Sequence, residues 1–323
     1  MSGGGQTLVA ALERHQIALY LLALAVALGV GALVPAAEEL DAAVTPVLAL
    51  LLFATFLGVP FGSVLRALRD RRFLASVLVL NFGVVPAVVF VLTRPIAGEP
   101  ALLIGVLLVL LTPCIDYVIV FSALAGGASA RLLAAAPLLM LVQILLLPLL
   151  LLLFLGPTGA AAVEIRPFAE AFVLLIVLPL AAAAGLQLLA TRSALGRRLR
   201  DAVLGSMVPL MVATLFTVVA SQAGAVADAL PRLGLLALLY AAFVVIMTAL
   251  GAGAGRVARL DVPARRALLF SGVTRNSLVV LPLALALPPA LSVAPVVVVT
   301  QTLVELIAMV LLVRIVPRVI PER

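Results

Sequence analysis

Three short stretches carry the reactive side chains of an otherwise hydrocarbon sequence: LLTPCIDYVIVF at 110 to 121, SGVTRNSLVV at 271 to 280 and VVTQTLVELIAMV at 298 to 310. The first holds the only cysteine, Cys114, with Thr112, Pro113 and Asp116; the second holds Arg275, Asn276 and Ser277; the third holds Gln301 and Glu305. A charge at the centre of a bilayer costs at least ~2.5–3.5 kcal/mol on insertion scales and usually marks an ion or substrate path. Asp116, Arg275 and Glu305 sum to a net negative charge, so one guanidinium cannot neutralise both carboxylates. The carboxylate left over is a candidate to bind a proton or a cation reversibly. Asp116 and Glu305 are therefore the expected coupling-ion residues, with Gln301 one helical turn before Glu305 on the same face. The competing account is a structural ion pair that locks two helices together.

Pro113 has no N–H to give and its ring clashes with the carbonyl four residues back, so the helix breaks there and frees backbone groups beside Thr112 and Cys114. A cysteine sulfur is a soft donor. Cys114 therefore suits a thiophilic centre such as trivalent arsenic or antimony, one thiol making a reversible contact where three would trap it; as a small apolar filler it has no such role. The expected substrate-binding set is Cys114, Asn276, Arg275, Ser277 and Thr112. Asn81 and Gln143 read as hydrogen bonds between helices, and His15, the lone histidine, as an interfacial residue. HExxH, CxxC, paired-aspartate and Walker patterns are all absent, so neither an enzyme nor a resident metal or cofactor is expected.

The elements that position these residues follow from composition. Of the 323 residues 65% are hydrophobic and 11% charged, with a mean hydropathy of +1.36. Soluble domains run at about 45–50% apolar and about 25% charged, so the chain belongs in a lipid bilayer. A hydrocarbon core of ~30 Å needs about 20 helical residues. Segments of that length are predicted near 17 to 34, 43 to 62, 73 to 93, 101 to 125, 132 to 155, 167 to 190, 202 to 224, 233 to 253, 267 to 287 and 292 to 315. All 21 basic residues are arginine; 17 fall at one set of loops and the termini, and 3 at the alternate loops AAEELD (36 to 41), RPIAGEP (94 to 100), Glu164 to Pro167 and ADALPRLG (227 to 234). By the positive-inside rule both termini are cytoplasmic. The basic balance is thus topology and not a nucleic-acid surface. The near-neutral start MSGGGQTLVAALERHQ predicts a retained first helix.

At an offset of 163, TPVLALLLFATFL (45 to 57) lies over VPLMVATLFTVVA (208 to 220), and Thr112 falls on Arg275. Two halves of five helices, about 12–160 and 167–323, are an odd number each and run in opposite directions. Inverted repeats with interrupted helices meeting at the midplane are the plan of secondary transporters. The expected fold is all-α, a single polytopic domain over 1–323 with discontinuous helices 4 and 9.

Those motifs, LLTPCIDYVIVFSALAGG, FSGVTRNSLVVLPLALALP and QTLVELIAMVLLVR, resemble the bile acid/arsenite/riboflavin transporter superfamily, nearest its arsenite permease branch and more distantly the bile acid:sodium symporters. The resemblance implies transport roles for Pro113, Cys114 and Glu305, and a core domain with crossed broken helices against a panel of helices 1, 2, 6 and 7. Asp116 and Arg275 depart from the arsenite branch, and segment 9 lacks the carboxylate with which the bile acid branch holds sodium. A fixed guanidinium at Arg275 would take that ion's space and charge. The expected function is a cell-membrane transporter exporting arsenite or antimonite in exchange for protons; the alternatives are sodium-linked transport of an organic anion, or a membrane sensor or channel.

Overall fold

The computed structural model describes residues 3–34, 40–59, 69–115, 117–162, 170, 173–285, 287, 288, 291 and 293–322. Asp116 and the predicted loop from Glu164 to Pro167 lie outside the described residues. Among the described residues the regular elements are all helical: α1 (Gly3–Leu33), α2 (Asp41–Gly58), α3 (Arg71–Leu92), α4 (Pro100–Leu110), α5 (Tyr117–Leu124), α6 (Ser129–Ala162), α7 (Leu178–Arg192), α8 (Ala194–Gly205), α9 (Met207–Val257), α10 (Val262–Val273), α11 (Ser277–Leu285) and α12 (Ala294–Val319). Four of the described helical stretches are long and apolar enough to cross a membrane: Arg71–Leu92, Ser129–Gly156, Gly234–Val257 and Ala294–Val319. A fifth arises if α8 and Met207–Ser221, bent by 46°, are counted as one. Predicted segments 4 and 9 drop out of this count because each is interrupted, as α4 with α5 and as α10 with α11. The predicted loop at 227 to 234 is helical instead, inside α9. Its alanines and leucines are strong helix formers.

The chain divides into two compact units, Met1–Gly58 with Arg166–Leu230, and Val59–Ile165 with Pro231–Arg323. In the first, α7 packs on α2, and Gln187 Nε2 donates to Leu57 O at 2.9 Å. Gly196 of α8 lies so close to the end of α7 that a Cβ would stand 2.6 Å from the Leu189 carbonyl carbon.

The second unit carries the three reactive stretches. Its α4 is apolar all round and buried from Leu102 to Leu110, the pattern of a helix enclosed by protein. It packs on α12, and α12 packs also on α11; α10 packs on α3 and α5. Gly105 permits the α4–α12 approach, since a Cβ there would lie 2.8 Å from Val297 Cβ. Leu145, Leu153, Val91 and Leu238 remain exposed, an apolar outside that suits lipid. Within α3 the turn Leu80–Val84 widens to π geometry, two residues short of Pro86. A π turn at Val173–Val177 likewise ends two residues short of Pro179. Proline leaves a carbonyl one turn back without its donor, and the helix relaxes by widening there.

Candidate functional site

The site is built on the two breaks. α4 ends as Leu111 N donates to Leu107 O at 3.1 Å and Thr112 Oγ1 turns back to Leu108 O at 2.7 Å. α10 ends the same way, with Thr274 N donating to Phe270 O at 2.9 Å and Thr274 Oγ1 to the same carbonyl at 2.7 Å. The unwound residues then pair with one another. Pro113 and Arg275 form an isolated antiparallel bridge. Asn276 N donates to Thr112 O at 2.8 Å and Cys114 N to Thr274 O at 3.2 Å. The hydrogen bonds flank Pro113, so its missing N–H is not required by the ladder, the one kind of strand position proline tolerates.

This geometry relates Thr112 to Thr274, Pro113 to Arg275 and Cys114 to Asn276, an offset of 162 in the numbering. The expected match of Thr112 with Arg275, at an offset of 163, differs by one residue from this local relation. In this local relation the two threonines fall together, each returning its hydroxyl to the carbonyl four back.

Freed backbone groups at membrane depth need partners, and Arg275 finds them on α12 and α5. Its N–H donates to Glu305 Oε2 at 2.8 Å, and its carbonyl lies 2.9 Å from Tyr117 Oη. Tyr117 Oη is also 2.6 Å from Glu305 Oε1, and Gln301 Nε2 donates to Glu305 Oε2. Asn276 Oδ1 accepts from Val279 N at 3.3 Å and so caps α11.

The guanidinium of Arg275 turns elsewhere. NH2 is within hydrogen-bond distance of Asn81 Oδ1 (2.7 Å), Ser271 O (2.6 Å) and Gly272 O (2.8 Å), and NH1 donates to Leu110 O at 3.3 Å. Its carbon lies 5.7 Å from the centre of the Phe243 ring, within cation–π range. Among the described residues it meets no carboxylate: the contact between Arg275 and Glu305 runs through the main chain. Asn81 is placed for this by the π turn of α3, and its amide also donates to Ser271 Oγ at 2.9 Å and Val77 O at 3.0 Å.

Thr112, Pro113, Cys114, Arg275 and Asn276 thus come together at the bridge, with Glu305 and Gln301 attached through Arg275 N–H. Arg275 is 0% and Glu305 1% exposed. Asn276 Nδ2, Ser277 Oγ and Gln301 Oε1 are buried with no hydrogen-bond partner among the described residues. Tyr117 is not among the residues singled out by the sequence, whereas Asn81 makes hydrogen bonds between helices as expected, with Arg275 among its partners. The signal for Tyr117 was available: it is one of three tyrosines in the chain, in an apolar run, and a buried phenol needs a partner.

Long apolar helices, paired broken helices and buried charges at the crossing define an integral membrane protein built like a transporter. Residues 45–229, more than half of the chain, match the family model for the Sodium Bile acid symporter family. The chain belongs to that family, and it is a multi-pass membrane transporter. The matched region takes in Thr112–Cys114 and stops before Arg275 and Glu305. Comparison with curated proteins finds no match.

Proposed function

We propose that this transporter is a secondary carrier that exports trivalent arsenic or antimony, as the uncharged hydroxide, in exchange for protons. The observation that carries the reading is that the guanidinium of Arg275 is committed to four protein oxygens. What the breaks offer a solute is then mostly neutral: the buried Cys114 and the unpartnered polar atoms of Asn276, Ser277 and Gln301, beside one guanidinium nitrogen, Arg275 Nε, that has no partner among the described residues. A thiol beside neutral hydrogen-bonding groups fits a polyhydroxy solute with a soft centre better than it fits a carboxylate. Cys114 contacts the metalloid, while Asn276 and Ser277 bind its hydroxyls. Arg275 positions the break, and Thr112 supplies the carbonyl that holds Asn276.

A guanidinium ringed by carbonyl and amide oxygens is a cation that never leaves. Coupling therefore falls to a proton on Glu305 or Asp116 rather than to sodium. An inside-negative potential supplies about 2.3 kcal/mol per charge per 100 mV, enough for one entering proton to drive useful extrusion. The same proposal takes the chain as ten spans in two inverted repeats, supported by the two-fold relation at the bridge. The unit bearing the breaks is the core and the other the panel. The arginine asymmetry supports a cytoplasmic-membrane location with both termini inside.

Cys114→Ser and Glu305→Gln should each abolish resistance in an arsenite-sensitive cell while the protein still inserts. Full resistance with Cys114→Ser refutes the thiol's role. The family description favours a second reading, sodium-linked uptake of an organic anion. Labelled uptake into vesicles with and without a sodium gradient separates the two.

A further inference from the structure

Tyr117 lies between two acceptors. Its Oη is 2.9 Å from Arg275 O and 2.6 Å from Glu305 Oε1, and a phenol owns one proton. A backbone carbonyl only accepts. If Glu305 is ionised, both neighbours compete for the single phenolic hydrogen. The carboxylate wins it, because a charge-assisted hydrogen bond is roughly twice as strong as a neutral one. Arg275 O then faces an oxygen lone pair. If Oε1 carries a proton, Glu305 donates to Tyr117 and Tyr117 donates to Arg275 O. Both short contacts are satisfied at once, while Oε2 still accepts from Arg275 N and Gln301 Nε2.

We infer that Tyr117 reads the protonation of Glu305 and passes it to the helix break: its hydroxyl holds the Arg275 carbonyl when Glu305 is protonated and releases it when Glu305 is ionised. This rests on the reading that Glu305 exchanges a proton during transport. In the step itself the O–H bond of Glu305 breaks, the proton goes to water, the electron pair stays on Oε1, and the phenolic hydrogen rotates from Arg275 O to Oε1. The consequence is mechanical. Tyr117 is the first residue of α5, and Arg275 is the residue bridged to Pro113. Proton loss therefore cuts the tie between the second half of one broken helix and the unwound centre of the other.

The groups that face Glu305 from the packed elements are consistent with this assignment. α4 and α11 present no ionisable side chain to α12; α5 presents Tyr117; the breaks present Arg275, whose guanidinium points to Asn81, and Cys114. Tyr240 donates to Val297 O at 3.0 Å, two turns away along α12. Asp116 lies outside the described residues. Tyr117 is thus a positioning residue for the coupling carboxyl.

The test uses infrared difference spectroscopy on the full chain in lipid vesicles, with pH as the only probe and ring-labelled tyrosine incorporated. With three tyrosines in the chain, the Tyr117 C–O band is assigned by its loss in Tyr117→Phe, and the Glu305 carboxyl band by its loss in Glu305→Gln. The expected result is that both bands change together through one titration. Glu305→Gln should freeze the tyrosine band, because its amide donates to Tyr117 at every pH. A carboxyl band that titrates while the Tyr117 band stays still overturns the role of Tyr117 and leaves proton exchange standing. A Glu305 band that never titrates overturns proton exchange itself, and this inference with it. Should Glu305→Gln fail to fold, Glu305→Asp, which shifts the carboxyl band rather than removing it, supplies the same assignment.

Discussion

Replacing Arg275 with methionine removes the donors from four oxygens: Asn81 Oδ1, Ser271 O, Gly272 O and Leu110 O. Two arguments predict opposite signs. Exchanging a whole buried ion pair for apolar groups of similar size is often neutral or stabilising. Here, however, three of the four acceptors are main-chain carbonyls, which no side-chain substitution removes. Each buried acceptor left without a donor costs ~1–3 kcal/mol, and the average of ~0.6 kcal/mol per hydrogen bond in membrane helices sets a floor near ~2 kcal/mol for four. One bond is long, at 3.3 Å, and Asn81 can turn to other partners. We therefore expect a loss of about 3 kcal/mol. The assay is the midpoint of thermal unfolding in a fixed detergent, read from the monodisperse fraction. Asn81→Leu should cost about 2 kcal/mol, losing the bond from the guanidinium and the two that its amide donates to Ser271 Oγ and Val77 O. Arg275→Lys should fall between, because an ammonium keeps the charge but not the planar fork. Arg275→Met unfolding at the wild-type temperature would refute the claim that this guanidinium satisfies the helix ends.

Three further outcomes follow from the same contacts. Arg275→Ala opens the four-oxygen place to a hard cation, so added sodium should raise the unfolding midpoint of this variant and leave the wild type unchanged, as binding to the native state alone requires. Gly105→Ala puts a methyl 2.8 Å from Val297 Cβ; it should cost ~1–3 kcal/mol by overpacking, and Val297→Ala in the same chain should restore most of that loss. Arg266 ties the end of α12 to the end of α5 by donating to Ile320 O (2.9 and 3.0 Å), Ala125 O (3.1 Å) and Glu322 Oε1 (2.9 Å). In Arg266→Ala, hydrogen exchange should accelerate from Arg318 to Glu322 and at Gly126 and Gly127, while Asn81 and its neighbours in α3 keep their protection.

Composition sufficed to place the chain in a bilayer, and two polar interruptions, TPCID and TRNS, sufficed to place the breaks. Proline geometry and the rarity of buried charge are local rules and need no knowledge of neighbours. The partner of Arg275 did not follow from such rules. Formal charge counting pointed to a carboxylate, and one of the two candidates, Asp116, lies outside the described residues; among those described, the guanidinium goes to Asn81 and to carbonyls that are free acceptors because α10 and α4 end where they do. Asn81 is legible as a hydrogen bond between helices, but its partner Arg275 is not, because nothing in LNFGV reveals the π turn; that depends on Pro86, two residues beyond. Tyr117 was passed over as part of an apolar run, since its importance appears only when Glu305 and the Arg275 carbonyl arrive from elsewhere in the chain. The loop predicted at 227 to 234 failed for a different reason: charge asymmetry was allowed to outweigh helix propensity.

The one-residue change in register, from 163 to 162, alters what the two breaks mean chemically. At 163 a threonine is the counterpart of an arginine, and the two interruptions look like unrelated polar accidents. At 162 both interrupted helices end their first half with the same device, a threonine hydroxyl turned back onto the carbonyl four residues earlier. Divergence begins one residue later. Where one break has Pro113, which can offer no N–H, the other has Arg275, whose N–H is available and is taken by Glu305. The frame is therefore symmetric in backbone hydrogen bonds and asymmetric in what it can attach. Among the described residues, only the second break recruits a carboxylate through its main chain, so Glu305 can act on that break directly and on the first through the bridge. Cys114 and Asn276 stand at equivalent places beyond the two centres, a thiol and an amide presented by matching backbone. On the proposed export mechanism, a solute held between them would be bound by both breaks, and Glu305 would act on it by moving one of them.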